Sequence, residues 1–472
     1  MNPSMTRRDA LRTSAAGFGS LALAALCRQA QAADGYVSPL AARQPHFPAK
    51  VKRVIFMFME GGPSHVDTFD YKPELYKADG KALPYEQPKA GTVGKEPKLM
   101  KPPFKFAQHG ESGLWISEVL PHLARHADDL CLINGMFHDT GLHEAGCVMM
   151  HTGEFRFTRP SIGSWITYGL GSESENLPAY VSVNPRDRNE SSGCYSNAFL
   201  PAVHHATIMR GVSKLGVQKS PPIRNVNNPI LSTSEQRRQL DFVQRLNVRY
   251  QQQKQSDSQI DAVIESFERA YRMQSAVPEL LEVGSETKET LELYGLKSDG
   301  SGNAFAVQCL LARRMAEAGV RFIEISQGGW DHHAGIATGI PNACRGIDQP
   351  IAGLITDLKQ RGLWNDTLLV WGGEFGRTPV LEQKPNNNHG RDHNGAGFTY
   401  WLAGGGVKGG LRYGATDELG YFAAENKVKV HELHATVLHL LGLDHQKLTY
   451  RYGGRDYTLT DVDGEVVRDI LA

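Results

Sequence analysis

Four short segments crowd carboxylates and imidazoles among glycines. They are residues 59–67 (Met-Glu-Gly-Gly-Pro-Ser-His-Val-Asp), 327–333 (Gln-Gly-Gly-Trp-Asp-His-His), 372–378 (Gly-Gly-Glu-Phe-Gly-Arg-Thr) and 388–394 (Asn-His-Gly-Arg-Asp-His-Asn). A divalent ion such as zinc, manganese or calcium takes such side chains as ligands from several directions. Glycine beside them lets the backbone turn sharply and approach closely. Asp331, His333, Glu374, Asp392 and His393 are therefore candidate ligands for one or two ions. A metal of this kind makes water a usable nucleophile near neutral pH. Each segment taken singly has a plainer reading. Glu374 could brace its loop against Arg377, and Arg391-Asp392 could be a turn held by its own ion pair. The metal reading requires the segments to meet.

Elements that would make them meet are visible. Apolar runs at 54–59, 130–133, 320–326, 367–371 and 398–402 read as buried strands ending in glycine and polar residues. Helical spacing marks 303–318, 347–361 and 431–441, each followed by glycine. Alternation of this kind predicts an α/β fold, a mostly parallel central sheet with helices on both faces. Ligands of such sheets lie beyond the carboxyl ends of the strands, where three of the four segments fall. Residues 71–118 show neither period and read as a surface excursion, and 232–296 as a helical insertion that opens with Ser232 and Glu235 at capping-box spacing. The remainder, 33–472, reads as one domain.

The first 32 residues read as an address. Arg7-Arg8, an apolar stretch from Ser14 to Leu26 and Ala30-Gln31-Ala32 match a twin-arginine export signal with a cleavage site. The stretch is shorter than the roughly 20 residues of a membrane span, so the expected location is the periplasm or beyond, with no stable span after cleavage. The 51 basic and 51 acidic residues balance, and no basic tract occurs, which excludes a chain built to neutralise nucleic acid. Five cysteines would remain after cleavage, with no CxxC, so neither a zinc ribbon nor a disulfide framework is signalled. There is no G-x-S-x-G elbow, Walker A loop or H-E-x-x-H. Met149, Met150 and Cys147 read as core.

Lys52-Arg53-Val54-Ile55-Phe56 leading into Gly61-Gly62-Pro63-Ser64-His65-Val66-Asp67, with Gly329-Trp330-Asp331, Gly373-Glu374-Phe375-Gly376-Arg377-Thr378-Pro379, Gly390-Arg391-Asp392-His393 and the terminal run 448–456, resembles a large bacterial family of unassigned function. Its members often carry twin-arginine signals and are frequently labelled sulfatases. The family is in turn similar to the alkaline phosphatase and sulfatase superfamily, whose parallel sheet carries metal ligands at strand ends. The resemblance implies a ligand at Glu60, where those hydrolases place an Asp after the first strand. It sets Asp331 with His332 or His333 as an Asp…His pair, and His393, or His389, as the last metal histidine. Glu374 is followed by Phe375, which cannot ligate, where the hydrolases have His or Asn. Sulfatases place Cys or Ser about ten residues before a Thr-Gly resembling Thr152-Gly153. The corresponding residue here is His143, which cannot become formylglycine but can serve as nucleophile or base; Ser64 is the other candidate.

The expected function is therefore an exported metal-dependent hydrolase of phosphate or sulfate esters, on a small-molecule or polysaccharide substrate. In it Arg377 and Arg391 would hold the substrate anion by paired hydrogen bonds. The rival is a catalytically silent relative that binds an anionic polysaccharide or a partner protein, favoured by the missing sulfatase signature and by Phe375.

Overall fold

A run of apolar residues with no polar interruption can be a strand only if both faces are covered. Val54–Met59 is such a run; with Arg53 before it, it forms Arg53–Met59 (β1), every residue of which is buried. Ile55, Met57 and Met59 pack into one core, and Val54, Phe56 and Phe58 into another on the opposite face. Full burial of each such side chain contributes roughly 1.5–3 kcal/mol. β1 is therefore the centre of three layers. The structure, a computed structural model, describes residues 38–86, 97–186, 189, 192–213, 222–223, 230–253, 258–282 and 285–472. The proposed export signal lies outside these.

Among the described residues nine strands form the central sheet. In chain order they are β1, Leu130–Phe137 (β2), Tyr180–Val183 (β3), Thr207–Met209 (β4), Phe322–Gln327 (β5), Thr367–Gly372 (β6), Phe398–Gly404 (β7), Leu411–Tyr413 (β8) and Val428–Lys429 (β9). Their order across the sheet is β8-β2-β7-β6-β1-β5-β3-β4, with β9 also paired to β2. The pairs β1/β5, β1/β6, β5/β3, β3/β4, β8/β2 and β9/β2 are parallel. β7 alone runs antiparallel, between β2 and β6. The sheet is thus mostly parallel, as expected. β7's direction matters for function. Its first residue, Phe398, pairs with Met136 near the end of β2, so the loop entering β7 lies at the edge where the parallel strands finish.

Two helices close one face. Ala304–Glu317 (α5, after the helices given below) is capped by Asn303, whose side chain accepts from the Phe305 amide, and Ile336–Gln360 (α6) lies beside it. Phe305, Leu310, Met315, Ile351, Leu354 and Leu358 join Ile55 and Met57 in that core. The other face is covered by His143–Thr152 (α1), Ile162–Leu170 (α2) and Val430–Leu440 (α7). There Cys147, Met150, Trp165 and Leu438 surround Phe56 and Phe58. The five described cysteines are all buried, and none forms a disulfide.

The differences from the sequence reading have physical causes. α6 begins eleven residues before the expected start and continues through Pro341 and Pro350, because its apolar stripe, from Ile340 through Ile347 to Leu358, stays on the sheet. The excursion 71–118 is not without period. It holds an antiparallel hairpin, Phe106–His109 with Leu114–Ser117, whose Leu114 and Ile116 are buried in the core. The lysines and prolines around these four-residue strands mask so short an alternation. Residues 87–96 lie outside the described part. The insertion folds as Thr233–Gln253 (α3) and Ser258–Leu281 (α4), followed by the short helix Lys288–Leu293. Ser232 and Glu235 exchange capping-box hydrogen bonds. No helix among the described residues is long and apolar enough to cross a membrane.

Candidate metal centre

Two loops and one helix start bring three imidazoles to a single carboxylate. Asp331 follows β5; its Oδ1 lies 3.0 Å from His333 Nε2 and 3.3 Å from His393 Nε2, and its Oδ2 lies 3.2 Å from His143 Nε2. His333 Nε2 and His393 Nε2 are themselves 2.9 Å apart. The four residues offer ligand atoms that all fall within 4.8 Å of one another.

Local structure explains each arrival. His143 is the first residue of α1, and Gly146 one turn on lets the helix pack against Glu374, whose Cβ would lie 3.1 Å from any Cβ there. His393 sits in a two-residue ladder in which it pairs with Arg377, tying the loop before β7 to the loop after β6. Gly61 adopts φ +118°, and a Cβ on it would come within 2.5 Å of the Asp331 backbone nitrogen. A Cβ on Gly390 would meet the His333 carbonyl carbon at 2.1 Å. The strand-end glycines are thus required by close backbone approach.

The far side of each ring decides its chemistry. His143 Nδ1 lies 2.6 Å from Glu374 Oε1, His333 Nδ1 lies 2.6 Å from Glu382 Oε2, and His393 Nδ1 lies 2.7 Å from the Gly141 carbonyl. Each partner can only accept, so each Nδ1 carries the ring proton. In the neutral rings this leaves an Nε2 lone pair facing Asp331. Two lone pairs 2.9 Å apart repel unless a proton or a cation lies between them. Donors about 2.0–2.1 Å from a tetrahedral zinc would be about 3.3 Å apart, close to the separations here. The donor set therefore fits a divalent cation.

Charge in the metal-free cluster is held by protons instead. Burial would raise the Asp331 carboxyl, but hydrogen bonds from His143, His333, His393 and Arg377 hold it far below the usual carboxylate range. Burial lowers His143, yet Asp331 and Glu374 outweigh it and the imidazole is raised. His333 is raised by Asp331 against burial, with help from Glu382. Glu374 is fully buried, which alone would raise it; His143 and the Gly61 amide pull it down. The Asp331 side chain is 44% exposed, so the cluster opens to solvent.

The expected ligands divide accordingly. Asp331, His333 and His393 meet in the cluster, and His143, expected as nucleophile or base, is its fourth member. With both ring nitrogens so engaged, His143 is not free to attack. Glu374 lies behind it: its two oxygens accept from Gly61 N at 2.9 and 3.0 Å. Asp392 accepts from the His393 amide at 2.8 Å and lies 3.9 Å from His333 Nδ1, also behind a ring. Glu60 is buried outside the cluster, 2.9 Å from Arg186, and burial pushes its carboxyl up to about 7. Ser64 is buried with its hydroxyl bonded to Asp67. Arg391 is fully buried and grips Asp67 at 2.7 and 3.1 Å, so neither the turn's own ion pair nor an open anion receptor describes it. Arg377 bonds to the carbonyls of Gly61, Gly62 and Arg391 and to Asp331 at 2.6 Å. It braces the cluster's carboxylate rather than Glu374. Sequence reasoning missed Glu382, whose surroundings Leu381-Glu382-Gln383-Lys384 hold neither glycine nor histidine and carry no signal.

Over residues 51–471 the chain matches the family described as a protein of unknown function, DUF1501. The chain belongs to that family. No curated protein matches this DUF1501 member. Solved structures similar to it include the lipoteichoic acid synthase LtaP from Listeria monocytogenes, with a TM-score of 0.37 and 10% identity over 90% of this chain and 78% of that one. The PsFucS1 sulfatase from Pseudoalteromonas sp. gives 0.34 and 11%, over 85% and 68%. The alkaline phosphatase from the Antarctic bacterium TAB5 gives 0.31 and 10%, over 83% and 98%.

Proposed function

We propose that this DUF1501 protein is an exported, metal-dependent hydrolase of phosphate or sulfate esters. One observation carries the reading: three imidazoles, each with Nδ1 anchored on an oxygen acceptor, converge through Nε2 on the carboxylate of Asp331. His143, Asp331, His333 and His393 would hold the cation. Bound there, it would polarise an ester oxygen and acidify a water. The protein's own residues do the rest. Glu374, Glu382 and the Gly141 carbonyl fix ring orientation and tautomer. Arg377, anchored on three backbone carbonyls, holds Asp331 in place. Phe375, whose ring centroid is 4.5 Å from that of His393 and 5.1 Å from that of His143, walls the cluster on one side and excludes water from the anchored faces. The reading gives the nucleophile's part to water, since Ser64 is buried on Asp67.

The test is a screen with nitrophenyl phosphate and nitrophenyl sulfate after loading with zinc, manganese or calcium. Asp331→Ala and His333→Ala should lower turnover at least 100-fold while the protein still folds. An absence of turnover with every ester and every metal would leave the silent, glycan-binding relative as the better reading.

A further inference from the structure

The terminal run that marks the family folds into a hairpin away from the metal cluster, Tyr450–Tyr452 against Arg455–Tyr457, turned by Gly453 and Gly454 at φ +55° and +86°. Strand period places Tyr450, Tyr452, Arg455 and Tyr457 on one face. Phe199 lies against that face: its ring is stacked on Tyr452 at 5.1 Å and 16° and on Tyr450 at 5.9 Å and 20°. The strip continues through Arg159, whose guanidinium lies 4.8 Å from the Tyr457 ring centroid and 5.5 Å from that of Phe157. Arg455 covers the same Tyr457 ring at 4.8 Å.

This strip is open. Phe157 is 62% exposed and Tyr452 54% exposed. Contiguous exposed aromatics on a folded protein mark an interaction surface rather than a packing remainder. The charge pattern selects the occupant. Arg451 pairs with Asp456 at 3.2 Å and Arg455 pairs with Asp461. Arg159, by contrast, donates only to a backbone carbonyl, that of Thr158, and no carboxylate ion-pairs with it or with Arg156 among the described residues. Aromatic faces that can stack on the C–H face of a sugar ring stand beside guanidinium groups that can chelate an oxyanion in the fork geometry. The interspersed Asp456 and Asp461 weigh against a polymer with a charge at every unit, such as nucleic acid.

We propose that this strip is a binding site for an anionic polysaccharide carrying sulfate or carboxylate groups, with Tyr452 and Phe157 as stacking platforms and Arg159 as the anion contact. The site is separate from the metal cluster. Residues 155–159 follow the C-terminal end of α1 while His143 begins it, a helix about 15 Å long. The inference goes beyond ester hydrolysis and holds whether or not the cluster turns over.

Titration calorimetry of the full chain with κ-carrageenan and hyaluronan, which carry one sulfate or one carboxylate per disaccharide, and with neutral dextran tests it. Binding to at least one acidic polymer and not to neutral dextran is expected. Tyr452→Ala and Arg159→Gln should each raise the dissociation constant tenfold or more, with melting temperature and nitrophenyl ester turnover unchanged. Asp331→Ala should keep wild-type polymer affinity, which separates this site from the metal cluster. Unchanged binding in both strip variants, or no binding to either acidic polymer, overturns the proposal. Binding to phosphatidylglycerol vesicles in place of the polymers overturns it too. So does a concentration-dependent dimer that Tyr452→Ala dissolves, since the strip would then be an interface between copies.

Discussion

Glu374→Gln removes one charge from a fully buried side chain and changes nothing else in its length or shape. The carboxylate has two employments, accepting the Gly61 amide at 2.9 and 3.0 Å and accepting His143 Nδ1–H at 2.6 Å. A glutamine can fill these in two ways. With its oxygen toward His143, the amide NH2 is turned on the Gly61 N–H, and an unsatisfied buried donor costs about 1–3 kcal/mol. With its NH2 toward His143, the ring proton must move to Nε2, and the lone pair aimed at Asp331 is lost. Loss of an orienting partner behind a ligating histidine lowers metal affinity about 10–100-fold, or about 1.4–2.7 kcal/mol. The assay is competition with a chromophoric chelator for zinc or manganese, beside thermal melting of the same samples. Glu382→Gln provides the internal comparison. Its side chain is partly exposed, so its effect on His333 should fall at the lower end of the range. Wild-type metal affinity in Glu374→Gln, with only a lowered melting temperature, would make Glu374 a loop brace and refute the reasoning.

Other consequences follow from the same geometry. Gly61→Ala places a side chain at φ +118° and 2.5 Å from the Asp331 nitrogen; it should cost about 1–3 kcal/mol from the backbone alone and displace Asp331, so metal uptake equal to wild type would contradict it. Metal binding should release protons, because His143 and His333 are raised in the metal-free cluster. Affinity should therefore rise as the pH increases above the ordinary imidazole value of about 6.5, and calorimetry in buffers of different ionisation enthalpy should reveal the released protons. A flat affinity above that value speaks against those tautomers. Burial pushes His204 and His434 down to about 3. The unfolded chain takes up these protons below about 6.5 and the native chain does not, so stability falls as the pH drops through that window, by about 2 kcal/mol per histidine at pH 5. In His434→Gln, urea denaturation at pH 7.5 and 5 should show a loss smaller by about that amount; an unchanged loss would place His434 outside the account.

The layers were legible because burial leaves its mark in composition. The unbroken apolar run of β1 and the glycines after α5 and α6 each report a local requirement that does not depend on distant partners. The short strands β3 and β4 were not legible, since four and three residues beside neighbours of their own kind show no period. The antiparallel direction of β7 was equally hidden. It depends on which neighbours β7 hydrogen-bonds, and no residue within the strand encodes that.

Residue type alone limited the candidate ligands to a handful of loops, because few side chains carry a lone pair suited to a divalent ion and glycine is needed where backbones meet. Asp331, His333 and His393 were found on that ground. Tertiary structure decided the division of labour. His143 joined the cluster and Glu374 moved behind it because a ligand is defined by the direction of its lone pair, and that direction is set by whatever occupies the other side of the ring. Glu382 and the Gly141 carbonyl occupy those positions from parts of the chain with no motif. Arg391 and Ser64 left the list for the complementary reason, each being bound to Asp67 in the interior. Sequence specifies which groups are able to bind; only folding sets which of them already have partners and which still face the opening.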